Sequence, residues 1–416
     1  MRILFLAVIL IFTNFGIVQA ANYQLEGVVV FSRHNLRAPT RTRSKIINQL
    51  TPYTWFKWTA KGGELSIKGG ELETIMGQYF RQWLTSENLI PENYIPTEGE
   101  VRFYSNSYQR TIATAQFFSS GFLPVANVKV ERKFAPSKMD PTFNPILTFT
   151  NENFNALATE QINTALNDNN FAENYKLLEK VIDFKKSEYA KENNLTTFNS
   201  GDNKIILTTD KEPTMPGNFN TAVSAVDALT LQYYEMENTT QASFGKKLSF
   251  NDWKKIVSLK EKYNEMVFGT PAVAVNVAHP LLKLINDELS LKNRKFSFLC
   301  GHDSNISALM SALDVEKYSL PQTVETKTPI GVKFVIEKYL GDDGNEYAKL
   351  SLIYASSEQI RNKTTLTLDN PPMIFPLKLN GLQQNSDGLY KLEDVQQRFN
   401  DSYNAYYDLQ AENAAA

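Results

Sequence analysis

A short apolar run, Gly27-Val28-Val29-Val30-Phe31, passes through Ser32 and ends abruptly in the polar Arg33-His34-Asn35. Continuous apolarity over a few residues, without alternation, predicts a strand buried on both faces. The pattern recurs twice. Val101-Arg102-Phe103-Tyr104-Ser105 runs into Asn106-Ser107, and Lys295-Phe296-Ser297-Phe298-Leu299-Cys300 runs into Gly301-His302-Asp303-Ser304-Asn305. Helical periodicity follows both later runs, over Arg110–Phe118, with Asn106-Ser107 as the expected N-cap pair, and over Ile306–Leu313. Strands alternating with helices predict an α/β fold with a central, largely parallel or mixed sheet flanked by helices. Such sheets hold ligands beyond the carboxyl ends of their strands, so the three polar strand ends are expected to meet.

Between about Thr150 and His279 the pattern turns helical and polar, with amphipathic stretches at Tyr175–Phe184 and Ala222–Tyr234. We therefore expect a smaller, mainly helical domain at 150–279, inserted into an α/β domain formed by 21–149 and 280–416. The turn-rich Lys211-Glu212-Pro213-Thr214-Met215-Pro216-Gly217 has the chemistry of a segment folding over a pocket. Strand-like material returns at Gly331–Ile336 and Lys349–Tyr354.

Residues 1–20 read as a secretory signal peptide. Arg2 supplies the positive start, Ile3–Phe12 the apolar run and Val18-Gln19-Ala20 the small-residue cleavage site. The apolar run is too short to span a bilayer, so no membrane span is expected after cleavage, and the periplasm or the outside medium is the expected destination.

Composition narrows the chemistry. Lys+Arg 43 against Asp+Glu 45 leaves a net charge of -2, with no basic excess to hold a nucleic acid. The single Cys300 excludes an internal disulfide and reads as an inert buried thiol. Three histidines without metal-ligand spacing predict a site with no metal and no cofactor, and His279 is assigned no role. The aromatic group Tyr53, Trp55, Phe56 and Trp58 reads as core or pocket wall. The oligomeric state is left open.

The three strand ends gather Arg33, His34 and Arg37, then Arg110, then His302 and Asp303. Guanidinium forks match phosphate oxygens and stay charged at every relevant pH, so three of them describe a pocket for a phosphoryl dianion. A neutral imidazole among them is a competent nucleophile toward phosphorus, and Asp303 can protonate the leaving alkoxide. Each short motif alone is weak; their combination is specific.

Arg33-His34-Asn35-Leu36-Arg37-Ala38-Pro39, with the distant His302-Asp303, resembles the histidine acid phosphatases, whose hallmark is R-H-G-x-R-x-P near the mature N-terminus and a later H-D. Asn35, where phytase-type members carry Gly, makes the stretch most similar to the periplasmic glucose-1-phosphatase branch of that family. Ser107-Tyr108-Gln109-Arg110-Thr111, Met139–Pro145, Leu231–Glu235 and Thr328-Pro329-Ile330-Gly331 extend the resemblance over nearly the whole mature chain. The resemblance implies that His34 becomes the phosphohistidine, that Arg33, Arg37, Arg110 and His302 bind phosphate, and that Asp303 is the proton donor. It also implies that Glu212 reaches the substrate, a small phosphomonoester of the glucose 1-phosphate type, and that a smaller helical domain covers the site. Relatives usually carry several disulfides; this chain departs from them. Two alternatives stand beside this reading: a phytase-like inositol-polyphosphate phosphatase, and a noncatalytic phosphate-binding protein. The intact His34 and Asp303 argue against the latter, since binding alone needs neither.

Overall fold

The computed structural model describes residues 22–200 and 203–412; the expected signal peptide and its cleavage site lie outside these residues. The chain opens with strand β1 (Tyr23–Arg33), helices α1 (Arg41–Ile47) and α2 (Ile67–Ser86), strand β2 (Val101–Ser105), helix α3 (Gln109–Phe122) and the short β3 (Val130–Glu131). Helices then follow one another: α4 (Glu152–Asn167), α5 (Ala172–Ile182), α6 (Glu188–Glu192), α7 (Asn218–Glu235), α8 (Thr239–Ala242), α9 (Phe250–Phe268) and α10 (Pro271–Ser290). Strand β4 (Phe296–Gly301) and helix α11 (Asp303–Ala312) return the chain to the sheet. It is completed by β5 (Lys333–Gly341), β6 (Glu346–Tyr354), α12 (Ser357–Asn362), β7 (Met373–Pro376), β8 (Tyr390–Lys391) and α13 (Leu392–Glu412).

The sheet has the order β3-β2-β4-β1-β5-β6-β7, with β8 also paired to β6. Strands β3, β2, β4 and β1 are mutually parallel, whereas β5 to β8 are antiparallel to their neighbours, so the sheet is mixed. Both faces are covered, as the unbroken apolar runs require. Val28 and Val30 point to one face, packed with Phe80, Phe118 and Phe298 under α2 and α3. Val29 and Phe31 point to the other, into a core continuous with the helical segment.

Register is what builds the site. Ser32 of β1 and Ser105 of β2 both pair with Cys300 of β4, so the three strands end level. Lys333, the first residue of antiparallel β5, also pairs with Ser32, which brings the preceding loop to the same edge.

One local expectation is corrected, the N-cap of α3. Helix α10 spans the expected domain boundary at 279/280, packs against α11 and α13 and runs unbroken past Pro280. Proline cannot donate to the Asn276 carbonyl, but the His279 ring takes that place, with Nδ1 2.7 Å from the oxygen. The N-cap of α3 is Tyr108, without a side-chain bond, because the Asn106 amide is engaged elsewhere. Among the described residues no single helix is long and apolar enough to cross a membrane.

Candidate active site

His34 sits in the loop that leaves β1, where its N–H donates to Gly301 O at 3.0 Å and ties the loop to the end of β4. Its Nδ1 lies 2.8 Å from Asn35 O. A carbonyl can only accept, so Nδ1 carries the proton and Nε2 keeps its lone pair. Burial, with the positive charge of Arg110 and Arg37 nearby, holds the imidazole well below its ordinary pKa, which favours the neutral ring.

The three arginines differ in their freedom. Arg33 is buried, its Nη1 shared between Glu325 Oε1 at 2.8 Å and Thr328 O, its Nη2 3.3 Å from Asp303 Oδ2. Burial works against its charge, but Glu325 and Asp303 raise its pKa above the usual value. Arg37 donates from Nη2 to Asp227 Oδ2 at 3.1 Å. Arg110 makes no ion pair among the described residues; it lies over the Tyr108 ring at 4.8 Å, and its buried Nε has no partner. Burial and the neighbouring Arg37 lower its pKa to about 10, so it remains charged and open to an anion.

His302 precedes α11, its N–H accepted by Asn305 Oδ1 at 2.9 Å. Its Nε2 is 2.7 Å from Asn106 Nδ2. Asn106 spends Oδ1 on the Ser107 N–H at 2.7 Å and donates a second Nδ2 hydrogen to Asn144 Oδ1 at 3.1 Å. Nε2 is therefore an acceptor and the ring proton sits on Nδ1, 3.4 Å from Arg110 Nη2. Two donors so close without an acceptor between them mark where an anionic oxygen belongs.

Asp303 opens α11, three residues before the expected Ile306–Leu313 stretch, with Oδ2 held by Lys260 Nζ at 3.1 Å as well as by Arg33. Burial opposes its charge, but Lys260 and Arg33 hold the carboxyl well below the usual range.

Glu212 stands exposed at the rim, where its Oε1 accepts from Asn144 Nδ2 at 3.1 Å. The turn that carries it is fastened by an isolated bridge, Ile206 to Thr214, and by hydrogen bonds between Leu147 and both Asp210 and Lys211. Enclosure by the pocket wall pushes its carboxyl up, while Asn144 and Arg110 oppose the rise.

These groups line one cleft of about 1030 Å³: His34, Arg37, Arg110, Glu212, His302 and Asp303 all face it. Arg33 is not among the lining residues; it lies behind Asp303, with its fork committed. Sequence reasoning missed Asp227 of α7 and Lys260 of α9. Asp227 is 1% exposed and takes Lys260 Nζ at 2.7 Å and Arg43 Nη1 at 3.0 Å in addition to Arg37. Three cations keep it ionised well below the usual range despite its burial. A charged residue on the otherwise apolar face of Ala222–Tyr234 is the signal that could have found it. Cys300 is fully buried, and burial raises its pKa well above that of a free thiol. Tyr53, Trp55, Phe56 and Trp58 do not line the cleft; Trp55 and Trp58 pack against the core.

The arrangement has close relatives. The glucose-1-phosphatase of Providencia rettgeri is 38% identical over 382 residues, covering 90% of this chain and 91% of that protein. The glucose-1-phosphatase of Salmonella typhimurium is 37% identical over 376 residues, with coverage of 89% and 91%. Among solved structures, the phytase from Citrobacter braakii superposes with a TM-score of 0.82 at 28% identity, covering 91% of this chain and 98% of that one. The family profile described as histidine phosphatase superfamily (branch 2) matches residues 24–352, a span that includes every cleft residue named above. With its paired imidazoles, its arginines and its late His302-Asp303, the chain belongs to branch 2 of the histidine phosphatase superfamily.

Proposed function

We propose that the chain hydrolyses a sugar phosphate monoester of the glucose 1-phosphate type through a phosphohistidine on His34. Membership of the family makes it a phosphomonoester hydrolase; the relatives named for glucose 1-phosphate hydrolysis motivate the substrate class. The observation that carries the reading is the His34 tautomer: Nδ1 is spent on Asn35 O, leaving the Nε2 lone pair in a cleft shared with Arg37, Arg110 and His302.

In this mechanism Arg37, Arg110 and the Nδ1–H of His302 hold the phosphoryl oxygens, where they stabilise charge in flight. The His34 Nε2–phosphorus bond forms as the bond to the sugar oxygen breaks, and protonated Asp303 gives its proton to that oxygen. Water then attacks phosphorus, the nitrogen–phosphorus bond breaks, Asp303 recovers a proton from the water, and inorganic phosphate leaves. Asp303 is ionised in the free enzyme because Lys260 and Arg33 hold it. An arriving phosphate dianion in the cleft repels the carboxylate, which raises its proton affinity. Turnover is accordingly favoured in acid.

Glu212 accepts a hydrogen bond from a sugar hydroxyl at the rim, and helices α4–α9 form the inserted domain that brings Glu212, Asp227 and Lys260 over the phosphate. The apolar run of residues 1–20 supports export to the periplasm or the medium.

A second reading, hydrolysis of an inositol polyphosphate, is favoured by the size of the cleft, about 1030 Å³, and by Arg41 in its wall. Rapid acid quench with radiolabelled glucose 1-phosphate tests the chemistry: an acid-labile phosphoenzyme is expected from the wild type and none from His34→Ala. Turnover by a folded His34→Ala protein overturns it. The kcat/KM ratio for glucose 1-phosphate and phytate separates the two substrates.

A further inference from the structure

Behind the catalytic loop, on the side away from the cleft, lies an ion pair with no access to water. Glu73 of α2 and Lys333 of β5 are each 0% exposed, with Lys333 Nζ 3.0 Å from Glu73 Oε1. The ammonium has two further acceptors, Gly331 O at 2.8 Å and Ser32 Oγ at 3.1 Å, and it lies 5.7 Å and 5.8 Å from the ring centres of Phe118 and Phe298. The same Glu73 Oε1 accepts from Asn35 Nδ2 at 2.6 Å, whereas Oε2 is buried without a partner.

Ion pairs taken fully out of water are poor sources of stability, because desolvation cancels most of their attraction; a packed apolar pair of similar volume does as well or better. This pair therefore calls for another reason, and Asn35 supplies one. Every polar atom of Asn35 is engaged. Its N–H donates to Thr114 Oγ1 at 3.1 Å, its Oδ1 accepts from the Leu36 N–H at 2.7 Å, its Nδ2 is anchored on Glu73, and its carbonyl receives the His34 Nδ1–H at 2.8 Å. The space is filled as well. Gly331 has φ +68, and a Cβ there would stand 2.5 Å from Asn35 Nδ2 and 3.1 Å from Glu73 Oε1. The side chain of Asn35 has nowhere else to go, so its peptide carbonyl is held at one angle.

We propose that Glu73 and Lys333 are positioning residues: through Asn35 they fix the carbonyl that sets the tautomer and aim of the His34 imidazole. The inference rests on the reading of His34 as nucleophile. Lys333 orients the Glu73 carboxylate, Glu73 orients the Asn35 amide, and the Asn35 peptide orients the ring. Neither Glu73 nor Lys333 touches the cleft. With the anchor gone, the Asn35 peptide can rotate, the ring loses its Nδ1 acceptor, and the Nε2 lone pair is offered to phosphorus only part of the time.

Two double variants isolate this role. Glu73→Leu with Lys333→Met removes both charges together, leaving no unpaired ion, and also removes the acceptor for Asn35. Glu73→Gln with Lys333→Met is equally neutral but keeps an oxygen for Asn35 Nδ2. The readouts are the rate of phosphoenzyme formation by rapid quench with saturating p-nitrophenyl phosphate, whose leaving group needs no proton, and the inhibition constant of inorganic phosphate. The Leu/Met variant is expected to phosphorylate roughly ten- to a hundredfold more slowly, the range for a slightly misplaced reacting group. Its phosphate affinity should stay within about twofold of wild type, since the arginines are untouched. The Gln/Met variant should recover most of the rate.

A folded Leu/Met variant that phosphorylates at the wild-type rate overturns the proposal, as does a Gln/Met variant no faster than Leu/Met. Should Leu/Met fail to fold, Asn35→Ala gives the same readout, because it deletes the anchored amide and leaves the ion pair in place; a wild-type rate there is equally fatal. Failure of the nucleophile reading is distinct: the wild type itself would yield no phosphoenzyme.

Discussion

In the proposed mechanism Asp303 is the residue on which the pH behaviour of the site turns, and its partners explain why. Its Oδ2 lies between Arg33 Nη2 at 3.3 Å and Lys260 Nζ at 3.1 Å, and a carboxylate so held gives up its proton easily. As a proton donor it works only when protonated, so activity toward poor leaving groups should fall as pH rises past its proton affinity in the substrate complex. Lys260→Met removes one of the two cations while Arg37 and Arg43 still neutralise Asp227. The expected result is a fall that begins at higher pH for alkyl phosphates and hardly changes for p-nitrophenyl phosphate. Identical profiles for the mutant and the wild type would remove Lys260 from this role. At the rim, Glu212→Ala should weaken kcat/KM for glucose 1-phosphate by roughly 1–3 kcal/mol, the range for one charge-assisted hydrogen bond, while relieving repulsion of phytate. Measured at one acidic pH and fixed salt, an unchanged ratio between the two substrates would take Glu212 out of recognition.

Helices α2 and α3 act as one element. They cross so closely that a Cβ on Gly121 would stand 2.1 Å from Thr74 O, and one on Gly77 would stand 2.2 Å from Phe118 O. This contact brings together groups the proposed mechanism uses, since α3 carries Arg110 and Thr114 while α2 carries Glu73. Gly121→Ala forces the backbones apart and should cost about 1–3 kcal/mol, the usual penalty for overpacking. A lower urea midpoint with an unchanged slope is the expected measurement. The strain falls at the level of Thr74, next to Glu73, so a slower phosphorylation step should accompany it. The apolar periodicity of α3 is plain in the sequence, but its start is not. Asn106 has the residue type of an N-cap, yet its amide goes to His302 and Asn144, and a capping propensity loses to a partner 196 residues away.

For the whole molecule, α9 fastens the helical segment to the loop before β5 through a buried carboxyl. Glu261 accepts from the Lys327 N–H at 2.6 Å and from Thr326 Oγ1 at 2.9 Å, and burial raises its pKa to about 7. A carboxyl whose folded pKa is raised adds stability that is fully present below its unfolded value near 4.5 and is lost as pH rises through about 7. The amount is at most about 3 kcal/mol. Asp227 and Asp303, held low, act in the opposite sense, but their contribution is present above the unfolded value of 3.8 and is lost only as pH falls from there. Buried His34 and His302, held well below their ordinary pKa of 6.5, take stability away as pH falls toward 5, so the Glu261 contribution is read as a difference: the thermal midpoint of the wild type should gain a few degrees on that of Glu261→Gln, which mimics the neutral form, between pH 7.5 and pH 5. A difference between the two proteins that does not change with pH would assign the effect to other groups.

Local pattern was enough to determine that Val28–Phe31, Val101–Ser105 and Phe296–Cys300 are buried strands and that each ends in polar residues, because period and apolarity are properties of neighbouring residues. Residue type alone also singled out His34, Arg37, Arg110, His302 and Asp303, since their spacing after strands is visible without any partner. Tertiary structure decided the rest. The order β2-β4-β1 and the level register at Ser105, Cys300 and Ser32 bring the three ends to one cleft, and strand pairing across hundreds of residues leaves no mark in either strand. The commitment of Arg33 to Glu325, the sharing of Asp227 among Arg37, Arg43 and Lys260, and the Glu73–Lys333 pair behind Asn35 were equally invisible. A buried charge is tolerated only where an opposite charge meets it, and which charge that is depends on where the chain returns in space.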